Sequence, residues 1–262
     1  MPHLFLPDLR LHYHDDGPKD GPALVLLHCL GLDGTIWDEV LPLLPKGLRL
    51  IRPDMRGHGG SDMPPPPYAM GALIRDVERL LDHLGLREAV VLGLSIGGLV
   101  AQGLAVKRLD LVRGLILSNT AHRLGAPSLW EGRIAAVEQG GLAAIAESTM
   151  ERWFSRPFRA EMRHKPWQDR LLAGSVEGWL GAAQAIAHTD FYDTTSGLRL
   201  PTMVIAASED GSTPPDLVRD LADLIPGSRF HLMRRAGHLP FVEQPAGYAA
   251  LIDAFLTDIG HI

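Results

Sequence analysis

The sequence predicts an α/β fold, a mostly parallel sheet with flanking helices and an inserted helical cap. Three observations predict it. Apolar and amphipathic segments alternate through the first 120 residues, the strand signal disappears between Ala121 and Asp190, and the alternation then resumes. Short aliphatic runs place strands near Leu24 to His28, Leu48 to Pro53, Ala89 to Leu94 and Arg113 to Ser118, as expected of strands covered on both faces. Helical spacing of apolar residues places helices near Ala72 to Leu84 and Leu99 to Lys107. After the interruption come a strand at Pro201 to Ala206, a helix at Pro215 to Ile225, a strand at Arg229 to Met233 and an amphipathic helix at Ala246 to Leu256. The interrupting segment holds Trp130, Trp153, Trp167 and Trp179 with several arginines at helix-like spacing. The expected division is a core of residues 1–120 and 191–262 and a cap of residues 121–190. In an open sheet, ligand sites form at the carboxyl ends of strands, so an insertion leaving that edge would roof the site and exclude water. The run Pro64-Pro65-Pro66-Pro67 can continue neither a helix nor a central strand and predicts a rigid exposed loop.

At 262 residues the chain is long enough for one large domain with a substantial core. A net charge of −6 and a pI near 6.0 argue against a nucleic-acid surface, and no basic block suggests a membrane surface. Small molecules are the expected partners. No apolar stretch approaches the length of a membrane span, and the start lacks the basic and apolar regions of a signal peptide. The single cysteine, Cys29, can make no internal disulfide. A cytoplasmic location is the expectation.

Gly93-Leu94-Ser95-Ile96-Gly97-Gly98 places a serine between glycines at a strand-to-helix bend, the pattern of a nucleophile elbow. A serine hydroxyl is a poor nucleophile near neutral pH, so Ser95 needs a base, and the base needs a group that fixes its tautomer. Asp210, at the end of an apolar strand and before Thr213-Pro214, is the expected orienting acid; Glu209 is its competitor, disfavoured by the spacing to Thr-Pro. Among twelve histidines, His238 follows the last strand and completes the chain order serine, aspartate, histidine. The oxyanion donors are expected to be the backbone N–H groups of Ile96 and Leu30, the latter in the loop His28-Cys29-Leu30-Gly31. His28 is expected to brace that loop rather than act as a second base. The turn Asp54 to Asp62 is glycine-rich but has no G-x-x-x-x-G-K-[ST], so buried side-chain hydrogen bonds are its expected role. No dinucleotide fingerprint, H-E-x-x-H or paired C-x-x-C is present, and His12 and His14 form only a weak pair, so neither a cofactor nor a metal is expected.

Together the His28 loop, the Asp54 turn, the Ser95 elbow, Asp210 to Pro214 and Gly237-His238 resemble the α/β-hydrolase superfamily across essentially the whole chain. The cap is similar to that of the 3-oxoadipate enol-lactonases at Leu117 to Gly125, Trp130, Arg133, Arg152-Trp153-Phe154 and Val176-Glu177-Gly178-Trp179. The resemblance implies a carboxylic ester hydrolase without cofactor that opens a small enol-lactone bearing a carboxymethyl arm. Its product would be 3-oxoadipate, in the β-ketoadipate pathway of aromatic-compound degradation. A substrate carboxylate is costly to bury without a cation, so the cap should supply one. Arg123, at the start of the cap, is the first choice, with Trp130 and Arg133 beside it in the substrate-binding set. Many relatives have glycine where this chain has Cys29, which leaves its oxyanion loop less free to adopt unusual dihedrals. The competing functions are a carboxylesterase or other lactonase, an acyltransferase, and a non-catalytic ligand receptor. Haloalkane dehalogenase is disfavoured because its chemistry needs an aspartate where Ser95 stands.

Overall fold

The computed structural model describes residues 2–262. Eight strands form one sheet: β1 (His3–Leu6), β2 (Leu9–Asp16), β3 (Ala23–Leu27), β4 (Arg49–Pro53), β5 (Ala89–Leu94), β6 (Val112–Ser118), β7 (Thr202–Ala207) and β8 (Arg229–Met233), in the spatial order β1-β2-β4-β3-β5-β6-β7-β8. β1 and β2 pair antiparallel, β2 pairs antiparallel with β4, and every later pairing is parallel. Every residue of β3, β5 and β7 is buried, which is why their sequences are unbroken aliphatic runs.

The antiparallel hairpin β1–β2 is absent from the sequence expectation. Its longer strand carries His12, His14, Asp15 and Asp16. These polar groups are accommodated by pairing instead of by apolar cover: His12 Nδ1 lies 2.7 Å from Asp54 Oδ2, and Arg49 reaches both carboxylate oxygens of Asp15 at 2.9 Å.

The core helices are α1 (Met70–His83), which follows the proline run, and α2 (Ile96–Lys107), which follows the Ser95 elbow. α2 packs on β5 and β6 with one side and on α1 with another, so Leu99, Val100, Leu104 and Ala105 are all buried. Burial of such side chains stabilises the fold by roughly 1.5–3 kcal/mol each for the larger ones. The Pro64 to Pro67 loop alternates half-buried and exposed residues and is anchored by Tyr68, whose hydroxyl donates to the Pro64 carbonyl at 2.8 Å.

Between β6 and β7 lie six helices and, among the described residues, no strand: α3 (Pro127–Gly140), α4 (Ala143–Trp153), α5 (Arg156–Ala160), α6 (Lys165–Leu172), α7 (Val176–Ala187) and α8 (Tyr192–Ser196). α8 returns to the core, where the Thr195 hydroxyl donates to Gln102 of α2 at 2.8 Å. α7 crosses the turn after β4 so closely that any Cβ at Gly178 would collide with the Gly57 carbonyl. The chain closes with α9 (Pro215–Leu224), α10 (Pro240–Glu243) and α11 (Pro245–Asp258). Phe241 joins these last helices to the core, with its ring 4.4 Å from Trp37 and 5.5 Å from Tyr248. Among the described residues, no helix is long and apolar enough to cross a membrane.

Candidate active site

Ser95 sits between β5 and α2 with φ 57° and ψ −118°, a left-handed backbone that an L-residue adopts only under constraint. Its neighbours supply the constraint. The Thr120 hydroxyl donates to the Ser95 carbonyl at 2.7 Å, and the Ser95 N–H donates to Ser118 O at 3.1 Å. A Cβ at Gly93 would strike the Gly97 carbonyl, and one at Gly97 would strike the backbone at Leu27 and His28. Small residues two before and two after the serine are therefore a packing requirement of the bend.

His238 follows β8 and Asp210 follows β7, so the parallel order of the sheet brings both to its carboxyl edge beside Ser95. His238 Nδ1 lies 2.8 Å from Asp210 Oδ2. Asp210 is buried, and its carboxylate also accepts from Asn119 Nδ2 (2.8 Å), the Thr213 hydroxyl (2.6 Å), and the N–H groups of Ser212 (2.7 Å) and Thr213 (2.9 Å). Such a shell fixes the carboxylate in place, and the bond it accepts from His238 makes Nδ1 the donor nitrogen and leaves Nε2 as the acceptor. Glu209, the competitor, accepts the Arg156 N–H at 3.0 Å and has no bond to His238. Ser95 and His238 both line one cavity of about 300 Å³, at the small end of the range for ligand pockets.

The loop after β3 closes another wall, to which Cys29 and Leu30 contribute. His28 Nδ1 donates to the Cys29 carbonyl at 2.7 Å and Nε2 accepts the Met55 N–H at 2.9 Å. His58, from the turn after β4, accepts the Gly31 N–H on Nε2 at 3.1 Å, with Nδ1 3.1 Å from the Arg56 carbonyl. Both rings are fully buried; burial lowers the pKa of each, that of His58 to about 4. Each is thus neutral at pH 7, as an acceptor nitrogen requires. The braced turn also includes Asp54, which accepts the N–H groups of Gly34 and Gly60, both at 2.8 Å. Burial pushes the Cys29 thiol up to about 12, so it is a protonated wall residue.

On the opposite wall, Trp130 and Arg133 of α3 face the cavity together with Arg152 and Trp153 of α4. The Arg133 guanidinium lies 4.9 Å from the centre of the Trp130 ring, and Trp130 Nε1 donates to the Leu124 carbonyl at 2.6 Å. Arg123, the first choice for binding a carboxylate, is outside this wall. Its side chain is 50% exposed and lies 3.5 Å from Asp190. The loop leaving β6 turns His122 and Arg123 outward onto Asp190 and Leu124 inward onto the cavity, and it is pinned there by the Phe191 N–H donating to the His122 carbonyl at 3.0 Å.

Three further groups take roles that the sequence does not assign them. Arg152 stands in the Arg152-Trp153-Phe154 run that resembles the enol-lactonase cap, but its place on the cavity wall comes from the placement of α4. Asn119, with φ 48°, is held at the end of β6 to reach Asp210. Glu243 of α10 accepts the N–H groups of Gly237 (2.8 Å) and Ser155 (3.1 Å) and the Ser155 hydroxyl, tying the histidine loop to the cap. Two backbone bonds continue that tie: His238 N–H to Trp153 O (2.7 Å) and Gly211 N–H to Arg152 O (2.9 Å).

His12, His14 and Asp54 bring possible ligand atoms within 4.8 Å of one another, at the hairpin the sequence reading passed over. Asp54 is already bonded to His12 and two backbone N–H groups there, the saturation expected of a structural brace.

The alpha/beta hydrolase fold family matches residues 22–245. The 3-oxoadipate enol-lactonase 2 of Acinetobacter baylyi is 32% identical over 252 residues, covering 95% of this chain and 94% of that protein. The enol-lactonase structure from Burkholderia xenovorans LB400 superposes with a TM-score of 0.93 at 32% identity, covering 98% of this chain and 100% of the other. A thermophilic esterase from Thermogutta terrifontis, solved with malate bound, superposes with a TM-score of 0.89 at 32% identity over 96% and 94% of the two chains. With the family matched over most of its length, and with the elbow, the loop order and the sheet that the family's fold requires, this chain belongs to the α/β hydrolases.

Proposed function

We propose that the protein is a serine hydrolase that opens a small carboxylate-bearing enol-lactone, of the kind whose product is 3-oxoadipate, and that residues 121–190 act as a cap over a core of residues 1–120 and 191–262. The observation that carries the reading is one cavity shared by Ser95, His238 and Arg133. The names of the Acinetobacter and Burkholderia relatives supply the substrate, and the malate on the Thermogutta esterase supports a carboxylate ligand in a pocket of this architecture.

In this mechanism His238 Nε2 takes the Ser95 proton while Asp210 holds the ring, and Ser95 Oγ attacks the lactone carbonyl. Oγ and Nε2 share the cavity without a hydrogen bond between them, a looseness common in unliganded sites that closes when substrate binds. The N–H groups of Ile96, the first residue of α2, and of Leu30 receive the oxyanion. Cleavage of the acyl C–O bond expels an enolate, which takes a proton from His238 and tautomerises to the ketone. Water, deprotonated by His238, then releases the acid from Ser95. The reaction uses no cofactor. Arg133 pairs with the carboxymethyl arm, and Trp130 covers the ring. With this substrate the enzyme is a cytoplasmic one acting on a small molecule.

The test is direct. Purified protein is mixed with the enol-lactone, and loss of the conjugated ester is followed by absorbance, with Ser95→Ala as the control. Turnover by the wild type and none by the variant supports the reading. A wild type that labels at Ser95 with a phosphonate but leaves the enol-lactone intact favours an esterase of different acyl specificity instead.

A further inference from the structure

The cavity wall holds two guanidinium groups, Arg133 and Arg152, and no carboxylate. Other buried or half-buried arginines of this chain have an acid or a backbone carbonyl as partner: Arg49 has Asp15, Arg52 has Asp16 and Asp38, Arg56 has Asp76, Arg170 has Asp33, Arg113 has the carbonyls of Ile259 and Gly260, and Arg159 has that of Phe154. The cavity pair departs from that pattern. Arg133 rests on the Trp130 ring, and Arg152 Nη2 is 3.1 Å from the neutral hydroxyl of Thr149. They are also near enough to repel. Burial first, and then the charge of Arg152, lowers Arg133 to about 10, which still leaves it cationic at neutral pH. Two half-buried like charges without a counterion are unfavourable until an anion enters.

Arg152 is the one of the two nearer the reacting end. Its carbonyl is bonded to the N–H of Gly211, next to Asp210, and the following residue, Trp153, stacks over His238 with ring centres 6.5 Å apart. We propose that Arg133 and Arg152 together form a binding site for dicarboxylates, with Arg133 holding the carboxylate a substrate brings and Arg152 the one that hydrolysis creates. The proposal rests on the reading of Arg133 given above and adds the second position. The chemistry balances: water adds its oxygen to the acyl carbon as the Ser95 ester bond breaks, Ser95 recovers its proton through His238, and the new acid ionises to a carboxylate. A monoanionic substrate therefore leaves as a dianion matched to two cations, so free dicarboxylates should compete with substrate for the site.

The experiment uses hydrolysis of nitrophenyl acetate as a neutral reporter and compares inhibition by adipate with that by hexanoate, which has the same chain length and one carboxylate fewer. In the wild type the inhibition constant for adipate should be about 10-fold to 100-fold below that for hexanoate, the size of one charge-assisted contact. In Arg152→Gln the ratio should fall toward one, and in Arg152→Lys it should be partly retained. The ratio is taken within each protein, so a general loss of activity does not imitate the result. If Arg152→Gln does not fold, calorimetric binding of the two acids to the wild type and to Arg152→Lys gives the same comparison. Equal inhibition of the wild type by both acids, or an undiminished preference in a folded Arg152→Gln protein, would overturn the proposal. A wild type that prefers adipate but does not open the enol-lactone supports the dicarboxylate site and rejects that substrate.

Discussion

On the sheet side of the cavity Asp210 accepts five hydrogen bonds and His238 is held through both its ring and its backbone, whereas on the cap side Arg133 and Arg152 face the same space without a carboxylate partner. The difference separates two kinds of preorganisation. In the proposed mechanism the Asp210–His238 pair is assembled before any ligand arrives, and only the contact between His238 and Ser95 has still to close. On the proposed reading the arginines are complete only once an anion binds, and they would convert ligand charge into affinity and selectivity. Substitutions on the sheet side should therefore abolish chemistry for every substrate, and substitutions on the cap side should divide substrates by charge.

The largest effect falls on the sheet side. Ser95→Ala and His238→Ala should each lower kcat by about 10⁴-fold to 10⁶-fold on the enol-lactone and on a neutral ester alike, with Asp210→Asn costing a similar amount or somewhat less. Single-turnover kinetics on proteins of unchanged thermal stability would check this. Near-normal turnover by a folded Ser95→Ala protein would remove the serine mechanism.

Next comes the cap. Arg133→Ala should reduce kcat/KM on the anionic lactone by about 10-fold to 100-fold, with a much smaller loss on a neutral ester. Equal losses on both would assign Arg133 a structural role and erase the contrast between the two walls.

A smaller effect concerns stability. Because His58 is held neutral with a folded pKa of about 4, well below the usual 6.5, the unfolded chain binds a proton more readily between those values. The contribution of His58 to stability is thus complete above about pH 6.5 and is lost as pH falls toward 4; the lowered His28 acts in the same direction. Denaturant unfolding across that window should show stability falling with acid, and His58→Ala should flatten the curve while costing about 1–3 kcal/mol at neutral pH for the unpaired Gly31 N–H. A variant with the wild-type pH slope would contradict the neutral brace.

The smallest effect is expected at Arg123. Its exposed pair with Asp190 is of the kind that contributes little, and Arg123→Ala should change selectivity between anionic and neutral substrates by no more than about twofold. A large loss on the anionic lactone alone would bring Arg123 back to the ligand.

What the sequence disclosed follows from how local each signal is. β5 runs from Ala89 to Leu94, as its aliphatic run and flanking breakers indicate, because burial on both faces needs no partner to be visible. Ser95, Asp210 and His238 each stand just beyond a strand, so topology alone collects them at one edge. The β1–β2 hairpin was not legible because His12 and Asp15 are buried by hydrogen bonds to residues far along the chain, Asp54 and Arg49. Sequence position favours Arg123 over Arg133 because it opens the cap; the direction of one loop puts Arg123 on the surface, while the phase of α3 puts Arg133 beside Trp130. Glu243 gives no sequence signal, and Arg152 signals only as part of the Arg152-Trp153-Phe154 run, since each acquires its place when α4 meets the loops carrying Asp210 and His238.

The central claim is that this serine hydrolase selects its lactone by the carboxylate arm. The most direct measurement is kcat/KM for the carboxymethyl enol-lactone against the same ring carrying a methyl group in place of that arm, in one buffer with wild-type protein. A preference of at least about 10-fold for the anionic ring, lost in Arg133→Ala, is the predicted result. Equal hydrolysis of the two rings, or faster hydrolysis of the neutral one, would contradict it.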